Sequence, residues 1–129
     1  MSQGFQVNYI GGGRLDAPFF PTKTNPYIKG IRVEVTAGLP AAIHTHIIDR
    51  ESELISISIA CSKYDDLDNW DLLINGQEIV ESVYTKELPE GLFLMVAHQL
   101  LVGDQIELRY KNESGRSKSV WVNYQFLTD

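Results

Sequence analysis

Ile55-Ser56-Ile57-Ser58-Ile59-Ala60-Cys61 decides the fold class. Large apolar residues alternate with small or polar ones at a period of two, the mark of a strand with one face on a core. The same alternation recurs on both sides of it. Ile31, Val33 and Val35 alternate with Arg32, Glu34 and Thr36. Ile106, Leu108 and Tyr110 form a shorter run, and Val120, Val122, Tyr124 and Phe126 alternate with Trp121, Asn123 and Gln125. No segment carries a helical stripe with caps. Residues 92–101, LFLMVAHQLL, lie between turn signals and read as a further strand.

Turn chemistry spaces these runs. Asn75-Gly76 lies between Leu72-Leu73-Ile74 and Ile79-Val80, and both residues tolerate positive φ, so the pair predicts a tight hairpin. Pro89-Glu90-Gly91, Gly103-Asp104 and Asn112-Glu113-Ser114-Gly115 predict three more turns. Strands are expected near residues 5–10, 28–37, 42–49, 53–61, 69–75, 77–84, 92–99, 105–111 and 118–127. The expectation is an all-β fold of about 8–9 strands, a two-sheet antiparallel sandwich of the jelly-roll type. Residues 1–129 read as one domain, with 28–129 the sandwich core and 1–27 an N-terminal strand plus a Pro/Gly-rich arm. That arm holds Phe19 and Phe20 between Pro18 and Pro21, without periodicity. The two rings either cover an open end of the sandwich or contact a neighbouring subunit.

The 129 residues suffice for a core without disulfides, and a hydrophobic fraction of 43% with 22% charged residues is ordinary for a globular domain. The net charge of -6 argues against phosphate-backbone binding and against anionic membranes, so neither nucleic acid nor membrane is an expected partner. Cys61 is the single cysteine, which excludes an intrachain disulfide. Met1 to Arg14 lack a signal-peptide pattern, and synthesis in a reducing cytoplasm is the expectation.

Few residues suggest chemistry. His44 and His46 lie two apart, so on a strand both imidazoles share a face. With Gly38 before them and Glu51 after, the spacing G-x5-H-x-H-x4-E resembles the first half of the cupin metal motif, which would make His44, His46 and Glu51 ligands. The rest of the motif departs. Ser58 stands at the closing glycine, Leu94 stands where the second histidine would fall, His98 comes too late, and Gly103-Asp104 follows this stretch where cupins have such a turn before it. The acidic run Asp65-Asp66-Leu67-Asp68-Asn69-Trp70-Asp71 offers oxygens to calcium without the EF-hand pattern; the alternative is a loop whose carboxylates accept backbone hydrogen bonds. Trp70 and Trp121 are candidates for stacking on sugar rings, and Trp121, out of phase with Val120 and Val122, is the better one. Trp121 is equally a candidate for a subunit contact. No catalytic residue and no cofactor are expected.

Two stretches carry a resemblance. Asp68-Asn69-Trp70-Asp71-Leu72-Leu73-Ile74-Asn75-Gly76 is followed by Tyr110-Lys111-Asn112-Glu113-Ser114-Gly115, then Lys118 and Val120-Trp121-Val122. Together they resemble small β-sandwich structural proteins, minor virion or tail-associated, of tailed phages that infect Gram-positive bacteria. The resemblance implies a non-enzymatic virion component of tail, baseplate or capsid, homo-oligomeric and partnered by other virion proteins. A carbohydrate-binding module for host surface glycans is the alternative, and a cupin-like metal-binding protein the third reading.

Overall fold

The computed structural model describes residues 9–10, 13–14, 21–88 and 90–129. The strands among them are β1 (Tyr9–Ile10), β2 (Gly13–Arg14), β3 (Asn25–Val35), β4 (Ala41–Ile47), β5 (Ser52–Cys61), β6 (Asn69–Ile74), β7 (Gln77–Tyr84), β8 (Glu90–Leu100), β9 (Gln105–Lys111) and β10 (Lys118–Thr128). β1 and β2 pair with each other, and the other eight build two antiparallel sheets.

The pairing is nested. β6 pairs with β7, β5 with β8, β4 with β9, and β3 with β10. The chain therefore behaves as one long hairpin whose successive rungs fall alternately in two sheets, ordered β3-β10-β5-β8 and β4-β9-β6-β7. That is the jelly roll. The tip of the hairpin is Asn75-Gly76, with φ of 51° and 82°, the two consecutive left-handed residues a twisted two-residue turn requires.

The inward faces close a continuous core. Val120, Val122 and Tyr124 of β10 and Leu108 and Tyr110 of β9 are fully buried, as their alternation predicts. Each apolar side chain of this size contributes about 1.5–3 kcal/mol when fully buried. Tyr27 stacks on Phe126 at 5.8 Å and closes one side.

Three expectations shift. The register of β5 slips between Leu54 and Ser56, which turns Leu54 into the core at 0% exposure and leaves Ile55 only partly buried. A bulge of this kind reverses the facing of every residue before it, which strict alternation does not anticipate. Glu90 and Gly91 belong to β8, not to a turn. The sandwich begins at Asn25, three residues before the expected boundary, because β3 pairs with β10 out to Asn25 opposite Thr128. The segment leading into β3 is tied down by Glu53, itself fully buried, whose carboxylate accepts the Thr22 N–H at 2.9 Å, the Thr22 hydroxyl at 2.8 Å and the Lys23 N–H at 2.9 Å. Phe19 and Phe20 lie outside the described residues.

Candidate binding face

The acidic loop binds the protein's own cations. The Lys118 ammonium has 0% side-chain exposure and reaches Asp65 Oδ2 at 2.6 Å and Asp68 Oδ2, and Ser114 Oγ lies at 3.0 Å. Asp68, equally buried, also accepts the Tyr110 hydroxyl at 2.8 Å and the Ser114 N–H at 3.0 Å. Arg116 grips Asp65 at 2.7 Å and, with Lys118 and Ser114, holds that carboxyl down at a pKa of about 2 against the opposing effect of burial. Asp71 accepts the Ser82 N–H at 2.7 Å and pairs with Lys111 at 3.0 Å. Three of the four carboxylates that suggested calcium, Asp65, Asp68 and Asp71, are thus committed to Lys118, Arg116, Lys111 and backbone N–H groups, and the loop is a structural lock between β6, β9 and β10. Among the described residues no three His, Cys, Asp or Glu side chains converge as a metal site would require. Cys61 Sγ lies 3.4 Å from the Tyr110 hydroxyl, and burial pushes its thiol pKa up, away from nucleophile chemistry.

The histidines share a face, as their spacing predicts, but it is the inner face. His44 lies opposite Leu108 and His46 opposite Ile106, both core residues. His46 stacks on Tyr124 at 6.1 Å, and burial, aided by Lys29 and His44 against the opposing pull of Asp49, lowers its pKa. His44 Nδ1 is buried without a hydrogen-bond partner among the described residues. Glu51 points to solvent at 58% side-chain exposure and pairs with Lys23 at 3.1 Å. The cupin-like set is not assembled, because the strand places the imidazoles in the sandwich and Glu51 at its rim.

Trp70 is 2% exposed and so offers no stacking face. It lines a small cleft with Cys61, Tyr84, Leu88 and Leu92, whose volume of about 20 Å³ holds a single water. Trp70 Nε1 is buried and has no hydrogen-bond partner among the described residues.

Trp121 is different. It stands on the outer face of the β3-β10-β5-β8 sheet at 40% exposure, with the Arg32 guanidinium 5.8 Å from its ring centre. The register places a row of small or slender residues beside it: Gly30, Asn123, Ser58 and Gly91, one from each strand. One flanking row is Arg32, Trp121 and Ala60; the other is Ile28, Gln125, Ser56 and Phe93. Phe93 is 77% exposed and Ile28 59%. The result is a trough that crosses all four strands, about 14 Å from Gly30 to Gly91 at ordinary strand spacing. An apolar ring stands on each side, and its floor offers the Asn123 carboxamide and the Ser58 hydroxyl. A Cβ at Gly30 would meet Asn123 Oδ1 at 2.9 Å, so a larger residue there displaces the carboxamide from the floor. At the Trp121 end Arg32 also pairs with Glu34, which Ser119 hydrogen-bonds and, with Arg32, keeps at a lowered pKa.

Fold and face together define a jelly-roll domain with a broad, solvent-facing aromatic trough on one sheet. The chain belongs to the family described as "Domain of unknown function (DUF8551)", whose model matches residues 23–129. No curated protein matches the chain in sequence. Among solved structures it is similar to "Carbohydrate-Binding Module CBM36 in complex with calcium and xylotriose", with 19% identity, a TM-score of 0.44, and 78% of this chain and 87% of that chain covered.

Proposed function

We propose that this domain is a non-catalytic binding module that takes a glycan chain in the trough between Trp121 and Phe93. One observation carries the reading: two exposed aromatic rings flank a cross-strand row without a bulky side chain. The core does not need either ring there, since both point away from it, and large exposed aromatics grouped on one face are informative. A sugar ring presents apolar C–H faces to an indole and hydroxyls to its edges. Trp121 supplies the first contact, and Asn123, Ser58, Gln125 and Arg32 supply donors and acceptors for the second. The fixed strand register pre-organises all of them, so little conformational freedom is lost on binding.

The test is calorimetry of the whole chain against a panel of soluble cell-surface and plant-wall oligosaccharides. Binding by the native protein, lost in Trp121→Ala and in Gly30→Leu, which fills the trough without touching Trp121, supports the reading. No heat with any glycan, or equal binding by both variants, overturns it.

A second reading is a structural component of a phage particle, made in the host cytoplasm, that works through contacts with other virion proteins. It draws support from the sequence resemblance and from Ile43 and Ile47, 60% and 58% exposed on one strand at the border of a sheet. Copurification with assembled particles tests it, and a domain found only free in lysates would count against it.

A further inference from the structure

The two sheets end in four border strands: β3 and β8 in one, β4 and β7 in the other. A border strand exposes a row of N–H and C=O groups that templates pairing with another chain, and proteins blunt such strands with charge, proline, bulges or breaks. Three of these four are blunted. β3 carries Pro26, Lys29, Arg32 and Glu34. β7 carries Glu78 and Glu81 and bulges around Ser82, where φ is 53° and the register with β6 shifts. β8 bulges between Phe93 and His98, where five residues of β8 pass two of β5.

β4 has none of these. Ala41-Ala42-Ile43-His44-Thr45-His46-Ile47 contains no acidic residue, lysine, arginine or proline, and its seven residues pair with β9 in unbroken register. Ile48 turns both its N–H and its C=O toward the β9 side, bonding Asp104 O and Gly103 N at 2.8 Å each. Backbone direction alternates along a strand, so Ile43, Thr45 and Ile47 turn theirs the other way, where no described residue pairs with them. The same three side chains face outward, and the two isoleucines are the exposed ones.

The strand's own sequence says what fits there. Turned about Thr45, it is its own complement: Ile43 meets Ile47, His44 meets His46, and Thr45 meets Thr45. We propose that β4 is a homodimerisation edge, pairing antiparallel with β4 of a second copy about a two-fold axis through Thr45. The outward backbone groups of Ile43, Thr45 and Ile47 then form about six reciprocal hydrogen bonds, and the two four-stranded sheets join into one. On the outer face each Ile43 packs on the partner copy's Ile47, so both exposed isoleucines of each chain are covered. This surface lies on the sheet opposite the Trp121 trough and does not depend on the glycan reading.

The test is the mass of the full chain by sedimentation at micromolar concentration, with three single variants. Thr45→Pro removes an N–H that β9 does not use, and Ile43→Lys places a charge at an exposed position, so both retain the native fold by circular dichroism. Native protein at twice 14.6 kDa, with both variants at the monomer mass, is the expected result. Thr45→Cys brings two thiols together on the axis, with Cα atoms about 5.5 Å apart, and oxidises to a covalent dimer. Native protein, whose only thiol is Cys61, does not. A native monomer overturns the proposal. Slow exchange of the Ile43, Thr45 and Ile47 amides in that monomer would assign the edge instead to the chain's own first twenty residues. A dimer that survives Thr45→Pro and Ile43→Lys overturns it equally.

Discussion

Replacing Lys118 with methionine tests the buried lock directly. The ammonium is fully enclosed and is shared by Asp65 and Asp68, and Asp68 is itself fully enclosed. Met matches the length of the lysine stem, so the substitution removes the charge with little change in volume. Asp65 keeps Arg116, at 2.7 Å, but Asp68 keeps only the neutral donors Tyr110 and Ser114. Stripping one partner from a buried pair costs about 3–5 kcal/mol, because the remaining charge stays desolvated and uncompensated. For a domain of this size that corresponds to a fall in Tm of roughly 10–20 °C. Thermal and urea unfolding followed by circular dichroism measure it. Lys118→Met combined with Asp68→Asn separates charge from packing. The amide keeps an acceptor for the Ser114 N–H, and its NH2 can donate to the Tyr110 hydroxyl, so no net charge remains buried. The double variant should recover half or more of the lost stability, as a coupling energy. A single-variant cost below about 1 kcal/mol, or a double variant no better than the single, would show that the cluster is not held by its charge balance.

Acid acts on the same cluster. The Asp65 carboxyl titrates near 2 in place of the ordinary 3.8, so its stabilisation is fully present only well above 3.8 and is lost as pH falls through 2; Asp65→Asn should flatten that limb of the stability–pH curve. Gly76→Ala should cost about 1–2 kcal/mol, because φ is 82° at the hairpin tip and a Cβ is strained there, measurable by urea midpoint. Glu53→Ala leaves the Thr22 and Lys23 N–H groups without their acceptor, and limited proteolysis should then cut near residues 21–24 faster than in the native chain, an acceleration Glu53→Gln reproduces only in part. Trp121→Ala should leave the fold intact by circular dichroism, since the ring stands on the outer face and not in the core, so any loss of binding in that variant reports the face and not the fold.

The jelly roll was readable because its two determinants are local. Period-two alternation assigns each strand a buried face, and Asn75-Gly76 fixes the one turn from which the nested pairing unrolls. What local pattern does not contain is register. The slip at Ile55 exchanges Leu54 for Ile55 in the core, and nothing in Glu53-Leu54-Ile55-Ser56 announces it; it is a matter of register with both neighbours, against β10 between Gln125 and Phe126 and against β8 between Phe93 and His98. Glu53 is a second case. An acidic residue at the start of a strand reads as solvated, and its burial becomes sensible only when Thr22 and Lys23, about thirty positions earlier, supply three donors.

The candidate site divides along the same line. Trp121 could be singled out because being out of phase with a buried alternation is a property of the residue and its immediate neighbours. The trough beside it could not, because Gly30, Asn123, Ser58 and Gly91 belong to four strands, and only their mutual register puts them in one row. His44 and His46 show the opposite failure. Their shared face follows from spacing, but whether that face looks outward or inward depends on which strand packs opposite, and Ile106 and Leu108 decide for inward. The acidic loop adds the energetic side of this. Four carboxylates in seven residues attract a cation, and Lys63 is the one basic residue close by in sequence, too few to balance them, which is why a metal ion suggests itself. The fold brings Lys118 and Arg116 to Asp65 from about fifty positions away, and Lys118 on to Asp68. A tethered ammonium pays no translational entropy on arrival beyond that of folding itself, so it holds the site against a free ion without needing the higher charge.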